Sequence, residues 1–179
     1  MASRCSITPT AGAPRQAMNL WAISQSLAIL ALANYAPVVA KKMFGARFAR
    51  PLDGGRTLYD KRALFGPSKT LRGIVASIAD ASVGAPIVGV RPDVGALMAS
   101  AAMVGDLFSS FIKRRVNLPP SSQALGLDQV PESLLPLLAA RHALSLSGTD
   151  IVLGVAVFFI GELVLARLFH RLGLRDEPY

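Results

Sequence analysis

Long apolar blocks with few charged side chains set the strongest limit on how this chain can fold. The first block, residues 20–40, holds about twenty mostly apolar residues, which is enough for a helix to cross a hydrocarbon core of ~30 Å. Four more blocks follow at 73–90, 94–112, 130–147 and 150–170. We therefore predict an all-α, polytopic integral membrane protein with about five transmembrane helices and a cytoplasm-facing polar cavity.

The N-terminal part of the chain allows two interpretations of the first apolar block. Residues 1–17 are small and polar, so we expect a mobile tail there and a single membrane-embedded domain over 18–179. A cleaved signal peptide is the alternative, because Ala31-Leu32-Ala33 resembles a cleavage site. The apolar residues continue to Val39, beyond the length of an ordinary signal sequence, which favours a membrane span.

The charges of this chain lie mostly between the apolar blocks. The net charge is +8, with charged residues at only 17% and a mean hydropathy of +0.45. Such a surplus suits nucleic acid, anionic headgroups or a phosphorylated substrate. Basic residues that flank apolar blocks, without interleaved aromatic side chains, argue against nucleic acid.

The loop charges also predict an orientation. If the basic loop 41–72 is cytoplasmic, five spans place the loop 113–129 and the basic C-terminal tail on the same side, as the positive-inside rule expects. We therefore expect a protein of the cell (inner) membrane with its site facing the cytoplasm and its N-terminus outside.

The end of the third apolar block carries a group of polar residues with helical spacing. Asp106, Ser110 and Lys113 share one helix face, because spacings of four and seven residues return to the same side. Arg114 and Arg115 follow directly. A carboxylate beside cations is suited to metal and phosphate, although a basic helix end is also what topology and the helix dipole favour.

A second carboxylate follows after a short loop rich in Pro and Ser. Asp128 and Gln129 precede the fourth apolar block, where they are either part of a site or the cap of the next helix. Asp106 likewise has two interpretations, a functional group inside a span or a structural ion pair with an arginine of another helix. Gly105, beside Asp106, leaves room for a ligand to approach the backbone.

Further polar residues lie in or near the first two spans. The Gly66-Pro67 turn presents Ser68, Lys69, Thr70 and Arg72 just before the second apolar block. Asn34 is a site candidate, or it only accommodates the break before Pro37. Asp80 should face the bundle interior or water, either as a packing carboxylate bonded to neighbouring Ser hydroxyls or as a catalytic group; the role of Glu162 stays open.

These residue types suit one class of chemistry. Two carboxylates can hold Mg²⁺, and the metal can bridge polyphosphate oxygens. Lys and Arg neutralise the charge that develops as pyrophosphate leaves. An attacking phosphate monoester is largely ionised at neutral pH, so it needs no general base.

The order and spacing of four motifs resemble those of the CDP-archaeol synthases. These enzymes belong to the wider group of CDP-diacylglycerol synthase-like, or phosphatidate cytidylyltransferase-like, membrane proteins. The resemblance covers the chain from about residue 20 onward. The motifs are Asn34-x-x-Pro37, Gly66-x-x-Lys69-Thr70-x-Arg72-Gly73, Gly105-Asp106-x-x-x-Ser110-Phe111-x-Lys113-Arg114-Arg115 and Leu127-Asp128-Gln129.

The resemblance implies a Mg²⁺-dependent enzyme that transfers CMP from CTP to an archaetidic acid-like or phosphatidate-like lipid phosphate and releases pyrophosphate. It implies that Asp106 and Asp128 hold metal or nucleotide phosphate and that Lys69 and Lys113 also take part in catalysis. A homodimer is a possibility at the level of the family. The residues expected to bind substrate are Asn34, Ser68, Thr70, Arg72, Ser110, Arg114, Arg115 and Gln129.

Two positions depart from the family pattern. The family often has a further acidic residue soon after its Asp-Gln pair, where this chain continues Val130-Pro131-Glu132. The family's Gly-Asp-Gly-Lys-Thr form is Gly66-Pro67-Ser68-Lys69-Thr70 here, so the acid near the lysine is lost. The chain looks like the variant found in bacteria, which leaves the acceptor lipid open. The rival functions are a small anion transporter or channel and a non-catalytic lipid-binding membrane protein.

Overall fold

Five α-helices make up the fold in the part of the chain that the structure describes. The structure is a computed structural model that describes residues 18–118, 122 and 124–171. The predicted mobile tail at 1–17 and the chain beyond 171 lie outside these residues. The helices are α1 (Leu20–Phe44), α2 (Leu71–Gly84), α3 (Pro92–Arg115), α4 (Gln129–Ala139) and α5 (Gly148–Arg171), with a short 3-10 helix at Ala85–Val88.

The all-α prediction is confirmed, and most of the predicted spans are present. α1, α3, α5 and the combined segment Leu71–Val88 are each long and apolar enough to cross a membrane. The first apolar block is thus a helix of 25 residues that packs within the bundle, as the span interpretation requires. In the described residues the only extended pairing consists of two isolated bridges, Pro51 with Thr70 and Thr57 with Ala63.

Small residues bring the first three helices close together. A Cβ added to Gly95 of α3 would lie 2.5 Å from the carbonyl oxygen of Ala81 in α2, so these two backbones are nearly in contact. Gly84 of α2 similarly accommodates the side chain of Leu32 in α1. Close approach through small residues is the usual way in which helices associate in a bilayer.

The fourth apolar block is shorter as a helix than expected. The block 130–147 was predicted to be a marginal span, but α4 ends at Ala139 after 11 residues, which is about 16 Å of helix or half the hydrocarbon thickness. Arg141 and His142 are exposed in the turn that follows. Their polar side chains explain why the helix does not continue as an apolar span.

The position of α4 in the bundle follows from its contacts. Its first turn lies against the middle of α3, where a Cβ on Gly105 would be 2.4 Å from the carbonyl oxygen of Pro131. Its last turn packs near the beginning of α1, since Leu137 and Ala22 belong to one buried cluster. α4 therefore begins at mid-bundle and runs toward the end where α1 begins.

The beginnings of α1 and α5 are joined at that end. The backbone N–H of Asn19 donates to Oδ1 of Asp150 at 3.0 Å, and Asp150 is 1% exposed. α5 therefore starts at the same end of the bundle as α1, which agrees with the predicted alternation of five segments. The opposite end, where Phe44, Leu71 and Arg115 lie, is called the site end below; which side of the membrane it faces stays a prediction.

Asp80 is not a packing carboxylate. It is exposed and lines an apolar groove of about 630 Å³ between α1 and α2, so of the two expected surroundings it does not have the bundle interior, and the interpretation that it bonds to Ser hydroxyls is wrong. The neighbouring hydroxyls of Ser77 and Ser82 donate to backbone carbonyls instead. α2 buries the face that contains Ala81, and Asp80 is rotated about 100° from that residue.

Candidate active site

The first candidate pair joins the loop before α2 to the middle of α3. Nζ of Lys69 donates to both carboxylate oxygens of Asp106, and both side chains are about one-fifth exposed. Asp106 thus forms an ion pair, as the structural alternative expected, but the cation is a lysine of the predicted Gly66–Gly73 motif and not an arginine of another helix; the functional role of Asp106 stays a prediction. The structure therefore brings two predicted motifs into contact.

The second candidate pair joins α3 to the beginning of α4. Nζ of Lys113 lies 2.8 Å from Oδ1 of Asp128 and donates to the carbonyl oxygen of Ser122 at 3.0 Å. The other carboxylate oxygen of Asp128 accepts from the backbone N–H of Ala124. This pair links the third predicted motif to the fourth, and it fixes part of the loop between them.

Both pairs lie along one stripe of α3. Asp106 and Lys113 are seven residues apart, which corresponds to two helical turns and about 10 Å. Ser110 lies between them and is only 2% exposed, so the stripe faces the interior, as its spacing predicted. A ligand that contacts both pairs has to be extended, and an extended polyphosphate could meet the lysine of each pair.

The basic end of α3 is more than a topological signal. Lys113 and Arg114 are each 7% exposed, whereas cations that only mark the side of a membrane stay solvated. Burial of a charge is costly unless it is paired. A Cβ on Gly66 would lie 4.0 Å from Cδ of Arg114, so the Gly66 turn packs against this arginine and brings Lys69 and Arg114 to the same region.

Asp128 and Gln129 are not a conventional helix cap. Asp128 stands at the N-cap position of α4 but makes no capping hydrogen bond with its side chain. Gln129 is fully buried; its Oε1 accepts from the N–H of Gly126 at 2.9 Å, and its Nε2 is buried without a hydrogen-bond partner. Asp128 thus contacts Lys113 of α3 and Gln129 contacts the loop, which supports the site interpretation over the capping one.

Arg115 is engaged with the loop that precedes α2. It forms an ion pair with Asp60 at 2.6 Å, donates to the carbonyl oxygen of Ala63 and lies over the ring of Phe111. Burial raises the pKa of Asp60, but the N–H of Arg62 and the charge of Arg115 outweigh it and leave that pKa below its usual value. The structure shows Arg115 as a support for the loop, and its predicted contact with substrate stays a prediction.

The other predicted substrate-binding residues have separate surroundings. Thr70 caps α2 through its hydroxyl, which accepts from the N–H of Gly73. Arg72 donates to the carbonyl oxygens of Gly45 and Arg47, so it ties α2 to the end of α1. Ser68 is exposed at the turn. The predicted contacts of these three residues with substrate stay predictions.

Asn34 has an unusual environment for an amide inside a helix bundle. Its Oδ1 and Nδ2 are both buried without a hydrogen-bond partner. An amide left in this state is costly, which favours a ligand contact over the alternative that Asn34 only accommodates the break before Pro37. The predicted role of Asn34 therefore stays a prediction with structural support.

The expectation for Gly105 is wrong. The space over its Cα, which was expected to admit a ligand, is filled by the first turn of α4, with Pro131 and Glu132 backbone atoms within 2.8 Å of an added Cβ. The glycine therefore serves the contact between α3 and α4. Because Asp106 follows it and Asp128 precedes that turn, this contact sets how the two carboxylates are arranged.

The residues present fit a metal that is shared with a substrate. Among the described residues, no three carboxylate, histidine or cysteine side chains come together as a complete metal site. Mg²⁺ commonly takes only one or two protein carboxylates and completes its shell with phosphates and water. Asp106 and Asp128 supply hard oxygen donors of this kind, and they are held by lysines that a phosphate can also engage.

Asp53 is a residue of this region to which the sequence assigned no role. It is 8% exposed, and its carboxylate accepts three backbone N–H groups of the same loop. The signal in the sequence was the run Asp53-Gly54-Gly55, whose glycines both have positive φ. Such a run is typical of a turn, but the distant partners of the carboxylate cannot be read from it.

The comparisons with known proteins concern the family to which this chain belongs. The model of a family described as CarS-like, CDP-archaeol synthase, matches residues 88–179. The CDP-archaeol synthase of Thermococcus onnurineus is 34% identical over 141 residues, covering 73% of this chain and 83% of the relative. That of Thermococcus kodakarensis is 36% identical, covering 73% of this chain and 82% of the relative.

A solved structure shares the fold. It is described as an intramembrane enzyme for archaeal membrane lipids biosynthesis, and it matches with a TM-score of 0.68 and 28% identity, covering 79% of this chain and 90% of the other. This chain therefore has the fold of an intramembrane enzyme. This chain belongs to the CDP-archaeol synthase family, and the resemblance seen in the motifs is confirmed.

Proposed function

We propose that this enzyme transfers CMP from CTP to a lipid phosphate and thereby forms a CDP-lipid and pyrophosphate. The observation that carries the proposal is the meeting of three motifs along one buried stripe of α3, through the pairs Lys69–Asp106 and Lys113–Asp128. Cations and carboxylates in such pairs suit a substrate that brings its own phosphates. Membership of a family named for CDP-archaeol supports the same class of product.

The reaction needs positioning more than proton transfer. An oxygen of the ionised lipid phosphate attacks the α-phosphorus of CTP, a P–O bond forms there, and the bond to the β-phosphate breaks with its electron pair leaving on pyrophosphate. Lys69, Lys113 and Arg114 would hold the triphosphate and neutralise the charge on the leaving group. Ser110 and Gln129 would orient the phosphates by hydrogen bonds.

We further propose Mg²⁺ as the cofactor. Asp106 and Asp128 would hold it, and it would supply charge stabilisation to the phosphoryl oxygens. Glu132, one turn into α4, is partly exposed and stands near the position where the family often has a further acid. It is a candidate to support the metal if Asp128 alone does not suffice.

The site would face the cytoplasm, because CTP is made there and because the loop 41–72 at the site end is densely basic. The N-terminus would then be outside. An archaetidic acid-like or phosphatidate-like lipid would present its phosphate at this end while its chains remain in the bilayer. A homodimer is compatible with this arrangement but is not required by it, since both ion pairs form within one chain.

The decisive assay uses purified full-length protein in lipid nanodiscs with CTP, Mg²⁺ and a panel of ether- and ester-linked lipid phosphates. We expect pyrophosphate release with at least one acceptor. Asp106→Asn should lower kcat/KM by about a hundredfold or more, on the scale of losing a preorganised electrostatic group. Asp93→Asn is the matched control, because Asp93 is exposed and pairs with Arg91 at the other end of α3.

Three outcomes would contradict the proposal. The absence of turnover with every acceptor, together with unchanged CTP binding in Asp106→Asn, would exclude the enzyme. Anion flux into liposomes without nucleotide consumption would support a transporter or channel. Lipid binding without turnover, with the same affinity in Asp106→Asn and Asp128→Asn as in wild type, would support a non-catalytic lipid-binding protein.

A further inference from the structure

A single buried carboxylate organises the loop that carries Lys69. Oδ2 of Asp53 accepts from the backbone N–H groups of Phe65 and Gly66, each at 3.1 Å. Its Oδ1 accepts from the N–H of Gly55 at 3.0 Å. The two oxygens therefore fasten the segment after Pro51 to the Gly66 turn, which is thirteen residues further along the chain.

The strand-like pairing beside this carboxylate continues as far as Lys69. The N–H of Leu52 donates to the carbonyl oxygen of Lys69 at 2.8 Å, and the N–H of Leu71 donates to that of Arg50 at 3.1 Å. These two bonds form the isolated bridge between Pro51 and Thr70. Asp53 follows the bridge on one side, and α2 begins on the other. The backbone of Lys69 is thus held on both sides, which limits where its Nζ can reach.

The Gly66 turn also has a required conformation. Gly66 has φ of +96°, a region that residues with a Cβ rarely occupy, and it packs against Cδ of Arg114. The two N–H groups bonded to Asp53 keep the turn in this form. A carboxylate that accepts several backbone N–H groups is a strong acceptor, and no protonated or amide side chain can accept all three bonds.

We propose that Asp53 is a positioning residue for the phosphate-binding turn: its carboxylate sets the turn at residues 65–66, which packs against Arg114, and thereby places Lys69 against Asp106. The inference rests on the proposed function only for its effect on turnover. The placement of Lys69 is a property of the fold and can be measured without substrate.

The test compares wild type, Asp53→Asn, Asp53→Glu and the control Asp93→Asn in nanodiscs. The amide of Asp53→Asn keeps one acceptor oxygen and loses the other, so the turn loses either the Gly55 bond or the two bonds at 65–66. We expect the rate of amine labelling at Lys69, read by mass spectrometry, to rise about tenfold in Asp53→Asn, on the scale of one unsatisfied buried hydrogen bond. Asp53→Glu keeps the charge but shifts the carboxylate by one methylene, so it should show an intermediate rise.

The kinetic arm uses the same variants. kcat/KM for CTP should fall about tenfold to a hundredfold in Asp53→Asn, as expected when a catalytic group is misplaced. The melting temperature and the labelling of Lys41 serve as controls. If Asp53 contributed only to stability, Asp53→Asn would have a lower melting temperature, but the labelling of Lys69 at temperatures well below that melting temperature would not rise. Asp93→Asn should match wild type in both arms.

The outcomes separate the two proposals. If Lys69 labelling and turnover in Asp53→Asn equal those of wild type, the positioning role is wrong while the proposed function stands. If wild type shows no turnover but Asp53→Asn still exposes Lys69 to labelling, the proposed function fails and the positioning role stands. A rise in labelling at every lysine, Lys41 included, overturns the positioning role in favour of general unfolding.

Discussion

The contact between Gly105 and α4 gives a prediction whose size can be worked out. In Gly105→Ala, the new Cβ would meet the carbonyl oxygen of Pro131 at 2.4 Å and its carbon at 2.6 Å. Ordinary contact begins near 3.4 Å, so α3 and α4 must separate locally by about 1 Å. The opposing atoms are backbone, which cannot rotate away as a side chain can.

Two opposing energies decide the outcome. Overpacking of a tight contact costs about 1–3 kcal/mol. The cost of Gly105→Ala should lie in the upper part of that range, because the atoms that the new Cβ meets belong to the backbone. Replacement of glycine by alanine inside a helix returns about 1 kcal/mol. We therefore expect a net destabilisation of about 1–2 kcal/mol, which lowers the melting temperature by roughly 2–8 °C for a chain of this size.

Gly161→Ala is the matched control. Gly161 also lies inside a long helix, α5, but a Cβ there meets no heavy atom within 4 Å, so only the gain in helix propensity remains. Both variants and wild type are melted in the same detergent by scanning calorimetry, and pyrophosphate release is measured in parallel. Gly105→Ala should melt below wild type and lose activity, because the turn that moves adjoins Asp128. A melting temperature for Gly105→Ala equal to or above that of Gly161→Ala would refute the reasoning.

Three further predictions concern charged groups. Lys113→Met leaves Asp128 without its cation, so we expect an activity loss of about a hundredfold or more; an effect below threefold in the pyrophosphate assay would speak against the site. Arg115→Met removes the ion pair with Asp60, and trypsin should then cut the 50–63 loop several times faster than in wild type. Equal cutting rates in the variant and in wild type would contradict this prediction. Burial raises the pKa of Asp53, but its three backbone N–H bonds outweigh this and leave the pKa below 3.8. The stability from Asp53 is thus complete above about pH 4 and lost as the pH falls through the lowered folded-state value. The melting temperature of Asp53→Asn should vary less with pH in that acidic window than that of wild type.

The sequence predicted the helices well where hydrophobicity alone decides them. The long apolar blocks located α1, α3 and α5, because helices that cross a bilayer must be long and apolar. The fourth block was apolar too, yet α4 ends at Ala139. Its end depends on where Arg141 and His142 meet a polar environment, and that depends on how α4 is placed against α3. Block length carries no such information.

The site residues were predictable as motifs but not as pairs. Helical spacing placed Asp106, Ser110 and Lys113 on one face, and the structure has them there. That Lys69 is the partner of Asp106 could not be read from the sequence, because thirty-seven residues separate them and the loop between is ordered by backbone bonds to Asp53. The role of Arg115 was similarly hidden, since its partner Asp60 is a loop residue without a motif.

The short α4 has a consequence for how this protein is made. A helix of 11 residues with an internal proline is too short to be accepted by itself as a membrane span during synthesis, when segments of about twenty apolar residues are recognised. The following helix, α5, is long and strongly apolar. We therefore expect α4 to enter the bilayer together with α5 as a helical hairpin, so that the first half of the enzyme waits in the membrane until nearly the whole chain has been translated. The pair Lys113–Asp128, and with it the site, would be among the last contacts to form.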